Sequence, residues 1–127
     1  MPDTICMRFH GKRHSDFDLK RIARAEAQGF DKPVTAYLCG AFIKARTGVG
    51  VVFGHPQKDQ FGRFDDGHLM RTSDVVTVER KGRFWVITTE SSRYVIATFQ
   101  RQNGRASLRE FLGIASGQHH LAPKQLQ

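Results

Sequence analysis

Basic side chains gather around one short turn in the second half of the chain. Arg80, Lys81 and Arg83 surround or occupy the predicted two-residue turn Lys81-Gly82. In a tight hairpin Arg80 faces Arg83, and two like charges placed opposite each other cost stability. A bound anion or acidic surface would relieve that repulsion, whereas water screens the charges when no partner is present. The turn is therefore the first candidate binding site.

Further arginines follow along the chain. Residues 91–109 contain four arginines and no acidic residue. Of these arginines, Arg101 lies in the predicted loop 100–104 and Arg105 directly follows it. Because a β-meander reverses direction twice between the loops 81–82 and 100–104, we expect both loops at the same end of the sheet. Arginine offers a planar fork of donors that matches phosphate and carboxylate, so we expect one continuous basic patch.

A second candidate combines rings with charge. Phe61, Arg63 and Phe64 alternate aromatic and basic side chains within the predicted loop 54–67. Such alternation is typical of surfaces that stack bases or anchor a protein partner. The alternative is a loop that folds onto the core and buries both rings.

Acidic and histidine side chains form one dense cluster in the same loop, made of His55, Asp59, Asp65, Asp66 and His68. Two carboxylates and a histidine could hold Mg²⁺ for phosphodiester hydrolysis, which makes a small metal-dependent nuclease an alternative. However, Asp-Asp-Gly is also ordinary turn chemistry, because Asp accepts local backbone hydrogen bonds and Gly takes positive φ. We favour the turn and expect no enzymatic activity.

Metal and cofactor sites have weak sequence support. Cys6, His10 and His14 are spaced by four, but Gly11 and the predicted strand Thr4–Phe9 argue against a helix that would align them. A structural zinc site also needs a fourth ligand. The chain has no phosphate-binding glycine loop, no C-x-x-C and no H-E-x-x-H motif. We therefore expect no metal and no cofactor.

Composition sets the broad class. The chain has 127 residues, 39% of them hydrophobic and 25% charged, and a formal net charge of +8. These values are typical of one soluble domain with an acidic partner, of which nucleic acid is the commonest. We place the domain at 1–116 and a flexible tail at 117–127. No apolar run approaches the roughly 20 residues that span a bilayer. Two cysteines, Cys6 and Cys39, indicate a reducing, cytoplasmic location.

The longer of two predicted helices begins after Ser15, a favourable N-cap, and ends at Gly29. Its predicted apolar stripe consists of Leu19, Ile22, Ala23 and Ala27. Its basic flank consists of Lys20, Arg21 and Arg24. That flank is either part of the binding surface or a solvated face.

Strands fill most of the remaining sequence. Residues 34–45 fit either a helix or a strand, and the turn Thr47-Gly48 suggests a hairpin. Three strands at 75–80, 83–89 and 93–99 form a C-terminal meander. Counting from its two turns pairs Val78 with Trp85 and Ile87 with Ile96. These residues and Val76 then share one core face, on which Trp85 is buried.

A short helix is predicted at Ser107–Leu112, with Ser107 as its cap and Glu110 completing a capping box. The fold class is therefore α+β, an antiparallel sheet with a longer N-terminal helix and a short C-terminal helix.

The segment 62–73 (GRFDDGHLMRTS) leads into a set of small polar and aromatic residues, namely Thr88, Thr89, Ser91, Ser92 and Tyr94. Over residues 54–96 this pattern resembles small accessory proteins encoded by phages and other mobile elements. Some small phage proteins of this size block host defence systems, anti-CRISPR proteins among them. The resemblance thus implies an inhibitor of host defence, and it carries over no catalytic residue.

We expect a small basic non-enzymatic protein that binds nucleic acid or a nucleoprotein complex. A protein-binding module that blocks a partner enzyme without contacting nucleic acid is the main alternative. The sequence predicts no membrane partner and leaves the oligomeric state open.

Overall fold

The computed structural model describes residues 14–56 and 65–124. Its elements in chain order are helix α1 (Asp16–Gln28), strands β1 (Ala36–Lys44), β2 (Thr47–Phe53), β3 (Leu69–Asp74), β4 (Thr77–Lys81), β5 (Phe84–Thr88) and β6 (Arg93–Ile96), and helix α2 (Gly104–Lys124). The predicted strand Thr4–Phe9 lies outside the described residues. None of the helices in the described part is long and apolar enough to cross a membrane.

The six strands form one sheet in the order β3-β2-β1-β6-β5-β4. Two antiparallel meanders, β1–β3 and β4–β6, join through β1 and β6, which run parallel. The α+β class is confirmed, but the sheet is mixed rather than purely antiparallel. The segment 34–45, for which the sequence allowed either a helix or a strand, forms strand β1. Gly40 in this strand has a φ of 59° and lies where the β1–β2 register shifts. The bulge interrupts the period-two alternation that identifies a strand, so the sequence pattern left both interpretations open.

Both predicted hairpin positions are displaced. The β1–β2 turn is Ala45-Arg46 rather than Thr47-Gly48, because Lys44 pairs with Thr47. The β4–β5 turn is Gly82-Arg83, where Gly82 takes the positive φ required at the first position of a II′ turn.

The predicted register of the meander is therefore wrong by two residues. Val78 pairs with Ile87, and Trp85 lies between Arg80 and Ile96. Because side chains alternate with period two, a two-residue shift leaves each side chain on its predicted face. Val76 is the exception, since it precedes β4 and is 63% exposed. The prediction that Arg80 faces Arg83 is also wrong for this reason.

Helix α1 covers one face of the sheet. Ser15 is the N-cap as predicted, and it also forms a capping box, since the Ser15 hydroxyl accepts from Asp18 N and the Asp18 carboxylate accepts from Ser15 N. Its buried residues are Ile22 and Ala25. The predicted stripe was wrong at Leu19, Ala23 and Ala27, which are exposed. The face toward the sheet is rotated from the predicted one, because Asp18, Arg21 and Gln28 contact the sheet or the β4–β5 turn on the same side as Ile22 and Ala25.

Helix α2 packs on the opposite face and begins earlier than predicted, at Gly104. A Cβ at Gly104 would lie 2.5 Å from the Ala41 carbonyl oxygen, so the helix start approaches β1 closely. Ser107 is not the cap, because its hydroxyl donates to Gly104 O and accepts from Ile43 N within the first turn. The helix extends beyond Leu112 to Lys124. The division into a domain 1–116 and a flexible tail 117–127 stays a prediction.

Candidate functional site

Seven arginines line two adjoining cavities at the end of the sheet where β6 continues past β5. The cavities have volumes of about 590 and 360 Å³ and share Arg21, Phe99 and Arg105. We call the two together the arginine groove. Its arginines are Arg21, Arg24, Arg80, Arg83, Arg101, Arg105 and Arg109. No acidic residue belongs to its lining within the described part of the chain.

Arg21 occupies the centre of the groove. Its Nε donates to the Ala97 carbonyl oxygen at 3.0 Å. Ala97 lies one residue beyond the last β5–β6 pair, Trp85–Ile96, so this carbonyl has no strand partner on the β5 side. The guanidinium therefore satisfies a free sheet-edge acceptor and is held in place by it. A residue expected on the outward flank of α1 is thus half-buried between helix and sheet.

Aromatic rings support three of the arginines. Arg21 Cζ lies 4.4 Å from the centroid of the Phe84 ring, and Arg105 Cζ lies 4.6 Å from the centroid of the Phe99 ring. A third arginine, Arg80, lies 5.9 Å from the Trp85 centroid. A cation over a ring face gains about 0.5–1 kcal/mol at exposed sites, and it also loses freedom. These contacts therefore favour the positions in which the three guanidiniums face the groove.

The hairpin turn is fixed by the end of α1. Gln28 Nε2 donates to Lys81 O at 2.9 Å, and Gln28 Oε1 accepts from Arg83 N at 3.2 Å. A Cβ at Gly82 would lie 2.6 Å from Gln28 Oε1, so only glycine allows this approach. One glutamine side chain thereby sets where Arg83 enters the groove.

The described residues do not neutralise the charge in the groove. Burial and then repulsion from Arg24, Arg105 and Arg83 lower the pKa of Arg21. Among the described residues, the ion pairs join Lys81 and Arg93 to Asp31 or Glu79, and none includes a groove arginine. Clustered like charges raise the free energy of the folded state, and a polyanion would lower it.

Most of the predicted binding residues lie together. The groove contains six of them, Arg21, Arg24, Arg80, Arg83, Arg101 and Arg105. The two predicted loops therefore meet at one end of the sheet, as expected from the meander.

Other predicted residues do not join them. Lys81 Nζ lies 3.7 Å from an Asp31 oxygen and 3.6 Å from a Glu79 oxygen, outside the groove lining. Lys20 is exposed and does not line the groove. The three loop residues Phe61, Arg63 and Phe64 lie outside the described residues.

Sequence reasoning missed four of the aromatic and arginine residues that line the groove. Phe17, Phe99 and Arg109 were not assigned to the site, and Trp85 was assigned to the buried core. Trp85 is only half-buried, because its cross-strand neighbour is Arg80 rather than Val78. The helical spacing of Arg101, Arg105 and Arg109 by four was the one available signal for Arg109.

The acidic segment 65–67 forms a turn. Gly54 N donates to Asp66 Oδ1 at 2.7 Å, and His68 N donates to Asp65 O at 3.1 Å. Gly67 has a φ of 91°, which a residue with a side chain rarely adopts. The turn and its positive-φ glycine agree with the sequence, whereas the Asp66 carboxylate accepts from Gly54, 12 residues away, rather than from a local backbone group. Asp59 lies outside the described residues.

No family model, curated protein or solved structure matches this chain. The function of the groove is therefore inferred from its geometry and charge.

Proposed function

We propose that this chain is a non-enzymatic protein that binds nucleic acid, alone or within a nucleoprotein complex, through the arginine groove. The observation that carries the proposal is the convergence of seven arginines on one lining, in which the described residues include no acid. They come from α1, the β4–β5 hairpin, the loop before α2 and the start of α2. A cytoplasmic site of action belongs to the same proposal.

Repeated phosphates fit the groove better than one small anion does. Two adjoining cavities place the guanidiniums along an extended path, and a nucleic-acid backbone offers a charge at every nucleotide. Guanidinium forks bind phosphate oxygens bidentately. Each neutralised phosphate also releases condensed counterions, which adds a favourable and salt-dependent contribution to binding.

Exposed rings favour a single strand over a duplex. Phe17 is 64% exposed and lines the cavity that contains Arg21, Arg24 and Arg109. An unpaired base can stack on such a ring, and each stacked base contributes about 1–3 kcal/mol by alanine substitution. Bases in a duplex are already stacked on one another and would gain nothing from Phe17.

A phage-encoded inhibitor of host defence is one concrete form of this function, and it rests on the sequence resemblance alone. In that setting the protein would bind, with its arginine groove, at the place where a nucleoprotein enzyme holds its nucleic acid. The same arginines could also contact an acidic protein surface, in which case one or two of them would dominate the binding energy.

The experiment is a set of anisotropy titrations with labelled single-stranded RNA, single-stranded DNA and duplex DNA of about 20 nucleotides. We expect tighter binding of the single strands, and weaker binding by Phe17→Ala. The control variant Leu69→Ala removes an exposed aliphatic side chain of β3, which is 57% accessible. It should bind the probes as tightly as the parent does.

Three results would contradict the proposal. Absence of binding to all three probes at low salt would reject nucleic acid as the partner. Equally effective competition by polyglutamate would favour an acidic protein surface. Probe cleavage in the presence of Mg²⁺ or Mn²⁺ would show that the protein is an enzyme.

A further inference from the structure

Three side chains of different chemistry meet beneath the first turn of α1. The ligand atoms of His14, Asp18 and Cys39 all lie within 4.8 Å of one another. They comprise an imidazole nitrogen, a carboxylate oxygen and a sulfur. The sequence spacing of Cys6, His10 and His14 did not reveal this cluster, because Asp18 lies on α1 and Cys39 on the separate strand β1.

The histidine is oriented with one nitrogen toward a backbone acceptor. His14 Nε2 lies 3.1 Å from the Val52 carbonyl oxygen. A carbonyl can only accept, so Nε2 carries the proton. Nδ1 is buried and has no hydrogen-bond partner among the described residues. Metal-binding histidines show this arrangement, in which one nitrogen donates to a carbonyl and the other binds the ion.

The carboxylate is held by neighbours that leave it able to bind an ion. The Thr98 hydroxyl donates to Asp18 Oδ1 at 2.9 Å, and Ser15 N donates to Oδ2 at 3.1 Å. Each carboxylate oxygen can accept more than one bond, so ligand capacity remains. Thr98 therefore acts as a positioning residue for Asp18.

The cysteine is a buried thiol. Cys39 is 1% exposed, and burial raises its pKa to about 12. In the absence of an ion it is a poor nucleophile at neutral pH, because only the thiolate reacts. A bound metal cation changes this, since coordination deprotonates a thiol outright.

We propose that His14, Asp18 and Cys39 bind a transition-metal dication of the zinc class. A mixed nitrogen, oxygen and sulfur donor set suits Zn²⁺ and does not suit Mg²⁺ or Ca²⁺. Tetrahedral zinc requires ligand separations of roughly 3.3–3.8 Å, which the cluster reaches by side-chain movements of about 1 Å or less. On binding, the Cys39 sulfur forms a bond to the metal and its proton passes to solvent.

The position of this site connects it with the groove. Asp18 and Cys39 also line a cavity of about 700 Å³ that shares Phe17, Phe99 and Arg101 with the arginine groove. The fourth ligand would come from this cavity, as water or as a group of a bound molecule. The ion would also tie the start of α1 to β1, and so fix the helix that carries Arg21.

The test uses the untagged full-length chain in a Cys6→Ala background, which leaves Cys39 as its one cysteine. Calorimetry with Zn²⁺ in buffers of different ionisation enthalpy should show one site and release of about one proton from the thiol. Substitution with Co²⁺ should give a thiolate-to-metal charge-transfer absorption. Absence of zinc binding, or cobalt binding without that absorption, would overturn the proposal.

Variants assign the ligands. His14→Gln and Cys39→Ala should weaken zinc binding beyond the roughly ten- to hundredfold loss expected for Thr98→Val. The matched control His68→Gln should bind as the parent does. Far-ultraviolet circular dichroism checks that each variant is folded. Unchanged affinity in folded His14→Gln would overturn the assignment even if Cys39→Ala does not fold.

Discussion

The Arg21 guanidinium lies over the ring of Phe84, with Cζ 4.4 Å from the ring centroid. Phe84 is 1% exposed and packs in the cluster formed by Ala25, Val86 and Val95. A core side chain of β5 therefore supports the central charge of the arginine groove. Stability and binding are linked at this point, because the ring that fills the core also orders the guanidinium.

Truncation of this ring tests the core. Phe84→Ala should lower the free energy of unfolding by about 3–5 kcal/mol, since it removes a fully buried phenyl group and leaves a cavity. Urea denaturation followed by circular dichroism measures the change. Phe84→Leu should cost much less, because it conserves most of the volume. An unchanged denaturation midpoint in Phe84→Ala would refute the packing described for β5.

The glutamine that fixes the hairpin gives a second prediction. Gln28→Ala removes one bond to Lys81 O and one from Arg83 N. Because both bonds are solvent-exposed, the loss of stability should be only roughly 1 kcal/mol. Oligonucleotide affinity should nevertheless fall, since Arg83 is no longer held at the groove. The exposed neighbour Glu26→Ala serves as the control, and equal affinities in the two variants would show that the hairpin needs no such support.

Trp85 provides an intrinsic reporter, because it is the one tryptophan of the chain. It lines the groove beside Arg80 and Arg83 and is half-buried. Binding of a nucleic acid should therefore quench or shift its emission. Saturable binding by anisotropy with no change in Trp85 fluorescence would locate the nucleic acid elsewhere on the surface.

Cys39 predicts how stability depends on alkaline pH. Burial raises its pKa from 9.0 to about 12, so the folded state retains a proton that the unfolded chain releases. The resulting stabilisation is complete below pH 9.0 and is lost as the pH rises toward about 12. In metal-free protein, Cys39→Ala should therefore lose less stability than the parent between about pH 8 and pH 10.5. Parallel losses in the two proteins would show that the thiol ionises normally.

The sequence was informative where local chemistry decides the structure. The N-cap Ser15 and the terminating Gly29 placed the ends of α1 correctly, because a cap depends on residues within one turn. The alternation of side chains placed Phe84 and Val86 on one face and Trp85 and Ile87 on the other, even though the predicted pairing register was wrong by two residues on both sides of β5.

Features that depend on tertiary packing were not predictable in this way. The cap at Ser107 failed because its hydroxyl bonds Ile43 N on β1, 64 residues away in sequence. The burial of Arg21 depends on how far β5 extends along β6. The groove could be anticipated from the arginine-rich loops, whereas its aromatic support at Phe99 could not, because nothing in the sequence places that ring beneath Arg105.

The salt dependence of oligonucleotide binding tests the central claim most directly. Affinities of single-stranded RNA are measured at roughly 50 and 200 mM salt for the parent, Arg101→Ala/Arg105→Ala and the control Lys44→Ala/Arg71→Ala. The control removes the same charge from exposed positions outside the groove lining. Loss of two phosphate contacts should reduce the slope of log affinity against log salt by about 1.4 in the groove variant, with little change in the control. Equal slopes and affinities in the groove variant and the parent would contradict the account.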